Sequence, residues 1–331
     1  MLRALSQSPR TATVVVVTLA LVTCVAGLLI GNVAIAPLDA LRALVDPDAT
    51  AAPIVRMLRA PRVLLAFGVG GALAVAGASL QALVRNPLAE PWILGLSGGA
   101  SLGAVLATVV GLQAGWGIAA CATAGALGAV VLVYRISRIA DHHLDPRVLL
   151  LAGVIVGAFA SAITTLVLIF ADPMRFRSAI LWILGGFGGA SWSAVRDFSI
   201  VALVPVAILH ALARQLDLLA LGDEPALALG ADVDRTRTII VVMTSILTAA
   251  TVAAAGVIGF VGLIVPHALR WTIGPMHRRL LPLAFVTGGA FTVAADTLAR
   301  TVAQPAELPV GAITAIVGVP LFALLLRRTI Q

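Results

Sequence analysis

Residues 59–84 read RAPRVLLAFGVGGALAVAGASLQALV, and from Val63 to Val84 the stretch holds no ionisable side chain. A bilayer-spanning helix takes about 20 apolar residues, so this run is long enough to cross. Nine further apolar segments flank it, at 11–32, 92–111, 116–134, 148–170, 193–213, 238–257, 258–273, 281–300 and 311–326. The whole chain of 331 residues follows the same pattern: 60% of residues are hydrophobic and 11% charged, where a soluble domain carries roughly 25% charged residues. A soluble fold of this length would need a charged surface that these residues cannot supply. A bilayer removes the need, because lipid-facing positions are apolar. The mean hydropathy of +1.08 agrees. The fold class expected is therefore an all-α integral membrane protein with about ten transmembrane helices, one transmembrane domain over residues 1–331.

All 22 cationic side chains are Arg and none is Lys. A phosphate-binding P-loop requires its Lys, so the chain cannot hydrolyse nucleotide through one. The arginines sit between apolar runs, not on one soluble face, which argues against a nucleic-acid partner. Cys24 and Cys121 lie inside apolar runs without a C-x-x-C partner and read as small hydrophobes. Arg3 and Arg10 before the run Val14–Ile30 resemble a signal peptide. Residues 11–32 can instead span a membrane, and we read them as a retained first helix.

Placing the N-terminus inside and alternating puts 14 of the 22 arginines in cytoplasmic loops and both termini in the cytoplasm. The outside minority contains Arg56, Arg59 and Arg62, spaced every three residues. On a helix they would stack on one face. They read either as snorkelling arginines at a helix end or as a docking patch for carboxylates of an external protein. The loop of residues 214–237 is the longest polar stretch expected inside. Its core, Leu218–Gly230, suits two short helices joined at Gly222–Pro225, an amphipathic hairpin that rests on lipid or fits a groove in a soluble partner. Outside, Gly185-Gly186-Phe187-Gly188-Gly189 interrupts a helix, which is tolerated where the backbone faces protein or a cavity.

Several ordered motifs resemble the FecCD-type permease family of ABC importers. They are Arg59-Ala60-Pro61-Arg62, the Gly71–Gly77 run, Asn86-Pro87-Leu88-Ala89-Glu90-Pro91, Leu94–Ala100, Leu219–Gly222, Gly259–His267 and Glu307-Leu308-Pro309-Val310-Gly311. The resemblance implies a ten-helix subunit in a bacterial cytoplasmic (inner) membrane, working as a two-fold homodimer. Two separate ATPase subunits, holding ATP and Mg, would bind the cytoplasmic face, and a soluble substrate-binding protein the outer face; this chain would carry no cofactor and no metal. By the same resemblance Arg59, Arg62 and Arg300 receive acidic residues of the binding protein, with Arg56 one turn earlier. Leu219, Gly222, Glu224 and Gly230 fall in the ATPase-coupling helices. Asn86, Leu88, Leu144 and Asp145 fall at the cytoplasmic gate, and Gly153, Val156, Gly157, Ala160, Ser161 and Thr164 of the fifth span along the translocation path. The second gate loop reads His-Leu-Asp-Pro-Arg where some relatives carry small hydroxyl residues.

The substrate is expected to be a bulky metal chelate. Arg175 and Arg177 at the outer mouth would form a ring of four guanidinium groups in a dimer and attract an anionic chelate; docking or lipid headgroups could use them equally. That ranks haem first, then a ferric siderophore. The Gly-Gly-Phe-Gly-Gly segment resembles cobalamin permeases and supports cobalamin as the alternative. A secondary transporter would need an intramembrane carboxylate for ion coupling. Asp296 alone approaches this, and it is four residues from Arg300, spaced for an ion pair.

Overall fold

A computed structural model describes residues 9–33, 35–112, 116–140 and 145–329. Every regular element in them is helical. In chain order the α-helices are α1 (Pro9–Leu29), α2 (Pro37–Val45), α3 (Ala60–Leu83), α4 (Leu96–Val110), α5 (Trp116–Ala140), α6 (Pro146–Ile169), α7 (Pro173–Ile183), α8 (Trp192–Ala211), α9 (Ala213–Leu221), α10 (Asp223–Ala228), α11 (Val233–Ala255), α12 (Val261–Ile273), α13 (His277–Ala299) and α14 (Val310–Thr329). Each of the ten apolar segments contains one of the longer helices. Seven of these are long and apolar enough to cross a membrane alone: α1, α3 with the turn before it, α5, α6, α8, α11 and α13. Of the others, α4 and α12 are shorter, at 15 and 13 residues, and α14 is apolar from Val310 to Leu324.

α3 is the hub. It packs against α13, α11, α12 and α8, and 83% of its spanning window is buried, against 17% for α1. In lipid no hydrophobic force drives helix against helix, so close backbone approach by small side chains does most of the work. Gly77 shows the limit of that approach: a Cβ there would lie 2.0 Å from the Gly262 carbonyl oxygen of α12. Hydroxyls in the bundle bond back to their own helix, as Ser79 does to the Val75 carbonyl (2.9 Å) and Thr248 to the Thr244 carbonyl (2.7 Å). A second group, α4, α5 and α6, packs together and meets the hub through α11.

Several helix starts differ from the sequence reading: α11 begins at Val233 instead of 238 and α13 at His277 instead of 281, and two others change the local geometry. The helix expected from residue 61 begins earlier, as a π-helical turn over Pro53–Arg59 that runs directly into α3. Pro61 has no N–H to give, and the widened turn, in which the Ala60 N–H bonds Val55, absorbs that loss. The segment expected from residue 92 opens as a 3₁₀ turn, Pro91–Leu94, and becomes α-helical at Leu96 after Gly95. The expected hairpin forms as two short helices, with a tighter joint than Gly222–Pro225: α9 and α10 meet at Gly222 alone, whose φ is +115°, and Pro225 lies inside α10.

Candidate sites at the two ends of the central helix

The N-terminal end of α3, called the outer end after the arginine distribution, gathers three arginines and two acids. Arg59 is buried, and its guanidinium donates to the carbonyls of Leu28 (2.9 Å), Leu29 (2.7 Å) and Val33. Arg300, also buried, donates through Nη2 to the Gly27 carbonyl at 2.7 Å. Both therefore close the C-terminus of α1, where unpaired carbonyls and the negative end of the helix dipole favour a cation. Arg62 lies between two carboxylates. Its Nε donates to both oxygens of Asp296 (3.1 and 3.0 Å) and its Nη2 to Asp296 Oδ1 (2.9 Å). Its outer edge donates to Glu307, Nη1 to Oε1 at 3.1 Å and Nη2 to Oε2 at 3.0 Å. Arg300 Nε adds an ion pair to Asp296 Oδ2 at 3.4 Å.

This geometry corrects the expected face of stacked arginines. In the π-helical turn a three-residue spacing does not superpose side chains, and Arg56, Arg59 and Arg62 diverge. Arg56 is half-buried and its carbonyl accepts from Trp192 Nε1 at 2.9 Å. Arg59 and Arg300 point inward to α1, and Arg62 alone reaches the surface cluster through Glu307. Asp296 is held by two arginines, which also removes it as a free ion-coupling carboxylate.

At the opposite end, Asp223 at the start of α10 bonds Arg237 Nη2 at 2.6 Å and lies 3.9 Å from Arg85 Nη2. Asp217 of α9 accepts from the His277 backbone N–H (2.9 Å) and pairs with its Nδ1 (2.6 Å). Two anchors thus fasten the hairpin to the ends of α11, α13 and the loop after α3. Of the expected coupling residues, Leu219 is buried, Gly222 forms the turn, and Glu224 and Gly230 are exposed. Leu221, Leu227 and Leu229 also project into solvent, at 63%, 59% and 59% exposure. They lie in the Leu218–Gly230 core of the hairpin but are not among the coupling residues expected from the sequence.

The loop between α3 and α4 is welded to α12. Gln81 Nε2 donates to the carbonyls of Ala89 (3.2 Å) and Gly262 (3.1 Å), and Arg270 donates to the other end of the same amide. Glu90 accepts the Phe260 backbone N–H at the start of α12, a cap supplied from far along the chain. Burial pushes the Glu90 carboxyl up to about 7, with the Phe260 hydrogen bond pulling the other way. Within this loop Asn86 Oδ1 accepts the Leu88 N–H (2.9 Å), and Leu88 is 43% exposed. Asp145 caps α6 by accepting the Arg147 N–H at 2.7 Å; Leu144, the remaining expected gate residue, lies outside the described residues.

The path residues expected on the fifth span, α6, fall on two faces of the helix. Gly153, Val156, Ala160 and Thr164 are buried and Gly157 half-buried, all on the face packed against α4 and the Pro91–Leu94 turn. A Cβ on Gly153 would meet the Ile93 carbonyl oxygen at 2.1 Å, so this glycine makes room for backbone and not for a ligand. Only Ser161 of the six is exposed, beside Ala158, Ala162 and Thr165 on the opposite face. At the outer mouth Arg175 pairs with Asp172 (2.8 Å) and donates to the Val109 carbonyl, while Arg177 is exposed. The expected glycine interruption is present. The Gly186 N–H donates to Ala255 (2.8 Å), and the Val310 and Gly311 N–H groups donate to Gly185 (3.0 Å) and Leu184 (3.1 Å). His267 packs between the rings of Trp271 and Phe322, with centroids 5.5 and 5.9 Å away.

The model of the FecCD transport family matches residues 19–328. The chain belongs to the FecCD transport family. Among FecCD relatives it is 46% identical over 278 residues to the cobalamin import system permease protein BtuC of Halobacterium salinarum, covering 84% of this chain and 74% of that protein. It is 41% identical over 275 residues to the vitamin B12 import system permease protein BtuC of Salmonella paratyphi A, covering 82% and 83%. It also superposes on a solved metal-chelate type ABC transporter in an inward-facing conformation with a TM-score of 0.87, at 30% identity, over 96% of this chain and 99% of that one. The FecCD chain is thus the permease subunit of an ABC importer, a multi-pass membrane protein and not an enzyme. Importers of this kind work with ATPase and binding-protein partners.

Proposed function

We propose that this permease imports a corrinoid of the cobalamin class. The observation that carries the reading is the 46% identity, over 84% of the chain, to a permease named for cobalamin import. The sequence ranking had put haem first because of a ring of outer arginines. Asp172 offsets the charge of Arg175, which weakens the attraction for an anionic chelate and with it the argument for haem, while Arg177 stays exposed.

In this reading two copies of the chain enclose the path in the cytoplasmic membrane, lined by the exposed face of α6 with Ser161. A binding protein docks at the outer end through carboxylates directed at Arg62 and Arg56, while Arg59 and Arg300 hold α1 in place beneath them. An ATPase takes the exposed rim of the α9–α10 hairpin, with Leu221, Glu224, Leu227 and Leu229. The loop around Asn86 and Leu88 and the start of α6 at Asp145 lie at the cytoplasmic gate. The reading is tested in proteoliposomes holding the permease, its ATPase and its binding protein. ATP-dependent accumulation of labelled cobalamin, absent with haem or a ferric siderophore, is the expected result. Accumulation of haem or siderophore without cobalamin would overturn it.

A further inference from the structure

Within the outer cluster the two carboxylates on Arg62 differ in one respect. The Asp296 side chain is 1% exposed, whereas that of Glu307 is 39% exposed and that of Arg62 itself 13%. Asp296 takes the inner edge of the guanidinium and Glu307 the outer one. A carboxylate arriving from outside can reach the Nη1/Nη2 edge of Arg62 only through the place Glu307 fills. Residues 304–307 are exposed, so the Glu307 carboxylate is readily hydrated when it leaves Arg62.

We propose that Glu307 is a resident counter-ion of Arg62, and that a carboxylate of the binding protein displaces it on docking. The proposal rests on the docking reading above and adds the competitor built into the same site. Arg62 cannot shed its proton to become neutral, and leaving its outer edge unpaired in a largely buried position would be costly. Glu307 meets that need until the partner arrives. Docking then exchanges one bidentate Arg–carboxylate pair for another, and its free energy is the difference of two similar terms, not the full value of a new pair. Such an exchange favours directional recognition with ready release. Within four residues the segment reaches Val310 and Gly311, whose N–H groups bond Gly185 and Leu184.

The test measures affinity of the binding protein for the permease–ATPase complex in nanodiscs, comparing Glu307→Gln, Arg62→Lys and the double variant. Gln keeps the shape of Glu307 and removes its charge; Lys keeps a cation beside buried Asp296 and removes the planar fork, so both preserve the fold. Displacement predicts that Glu307→Gln tightens binding about three- to tenfold, that Arg62→Lys weakens it, and that the gain disappears in the double variant. Unchanged or weaker binding by Glu307→Gln, with Arg62→Lys still weakening it, would overturn the exchange and leave the docking reading standing. Unchanged binding in Arg62→Lys would overturn both.

Discussion

Arg59 shows how little a residue type says about its own role. In the sequence it is one of three evenly spaced arginines on the side that selection for orientation disfavours, and an external carboxylate is a reasonable partner. Its actual partners are three carbonyls, two at the end of α1 and one just beyond it. Loss of a charged donor to buried carbonyls costs about 1–3 kcal/mol. We therefore expect Arg59→Ala to lower the thermal unfolding temperature of the detergent-solubilised permease alone, with no binding protein present. An unchanged transition would show that Arg59 does not cap α1. The small residues of α6 carry the same lesson. Gly153 and Gly157 look like space for a ligand, yet Gly153 faces the Ile93 carbonyl at a distance that admits no side chain. Small side chains mark close packing at least as often as open volume, and sequence spacing cannot separate the two.

At the scale of elements, the α9–α10 hairpin was readable because its chemistry is local. Its polarity, its turn at Gly222 and its length all lie within one loop, and two short helices do form there, the first starting earlier, at Ala213, and the second directly after Gly222. What the pattern did not supply was the hairpin's orientation. Asp217 and Asp223 anchor it through His277, Arg237 and Arg85, and the anchoring turns Leu221, Leu227 and Leu229 outward. Exposed leucines on an anchored platform suit an apolar groove in a partner. Changing all three to Ser should leave the permease folded, because none is buried, and reduce co-purification of the ATPase at least about tenfold, the equivalent of 1.4 kcal/mol. Full recovery of the ATPase would place the contact elsewhere. The π-helical turn before α3 is the counter-example: Pro61 signals disruption, but the sequence does not say whether the helix ends there or widens.

Across the whole molecule, α3 joins the two working ends. Its 24 residues span about 36 Å at 1.5 Å per residue, with Arg62 beside its first turn and Arg85 just beyond its last. Docking at the outer end is expected to be steered by charge, because the outer cluster sets three guanidinium groups against two carboxylates. Surface charge interactions are screened over about 10 Å at 0.1 M salt. The association rate of the binding protein with the reconstituted complex should therefore fall as salt rises from about 0.05 to about 0.3 M, with a smaller change in the dissociation rate. A salt-independent association rate would rule out electrostatic steering by this end.

The sequence by itself determined that the chain lives in a membrane, that it crosses about ten times, that it holds no P-loop, and that a polar hairpin breaks the pattern on the arginine-rich side. These properties depend on composition and on periodicity within single segments, which the chain carries locally. Only the tertiary structure decided which arginines turn inward to hold the bundle together and which reaches the surface. The partners of Arg62 are 234 and 245 residues away along the chain, and α3 and α13 had to pack before Asp296 and Glu307 could meet it. The same holds for α6, where packing against α4 assigned one face to the protein interior and left the other outside. Charge and small size announce that a residue matters, and the contact made across the bundle decides how.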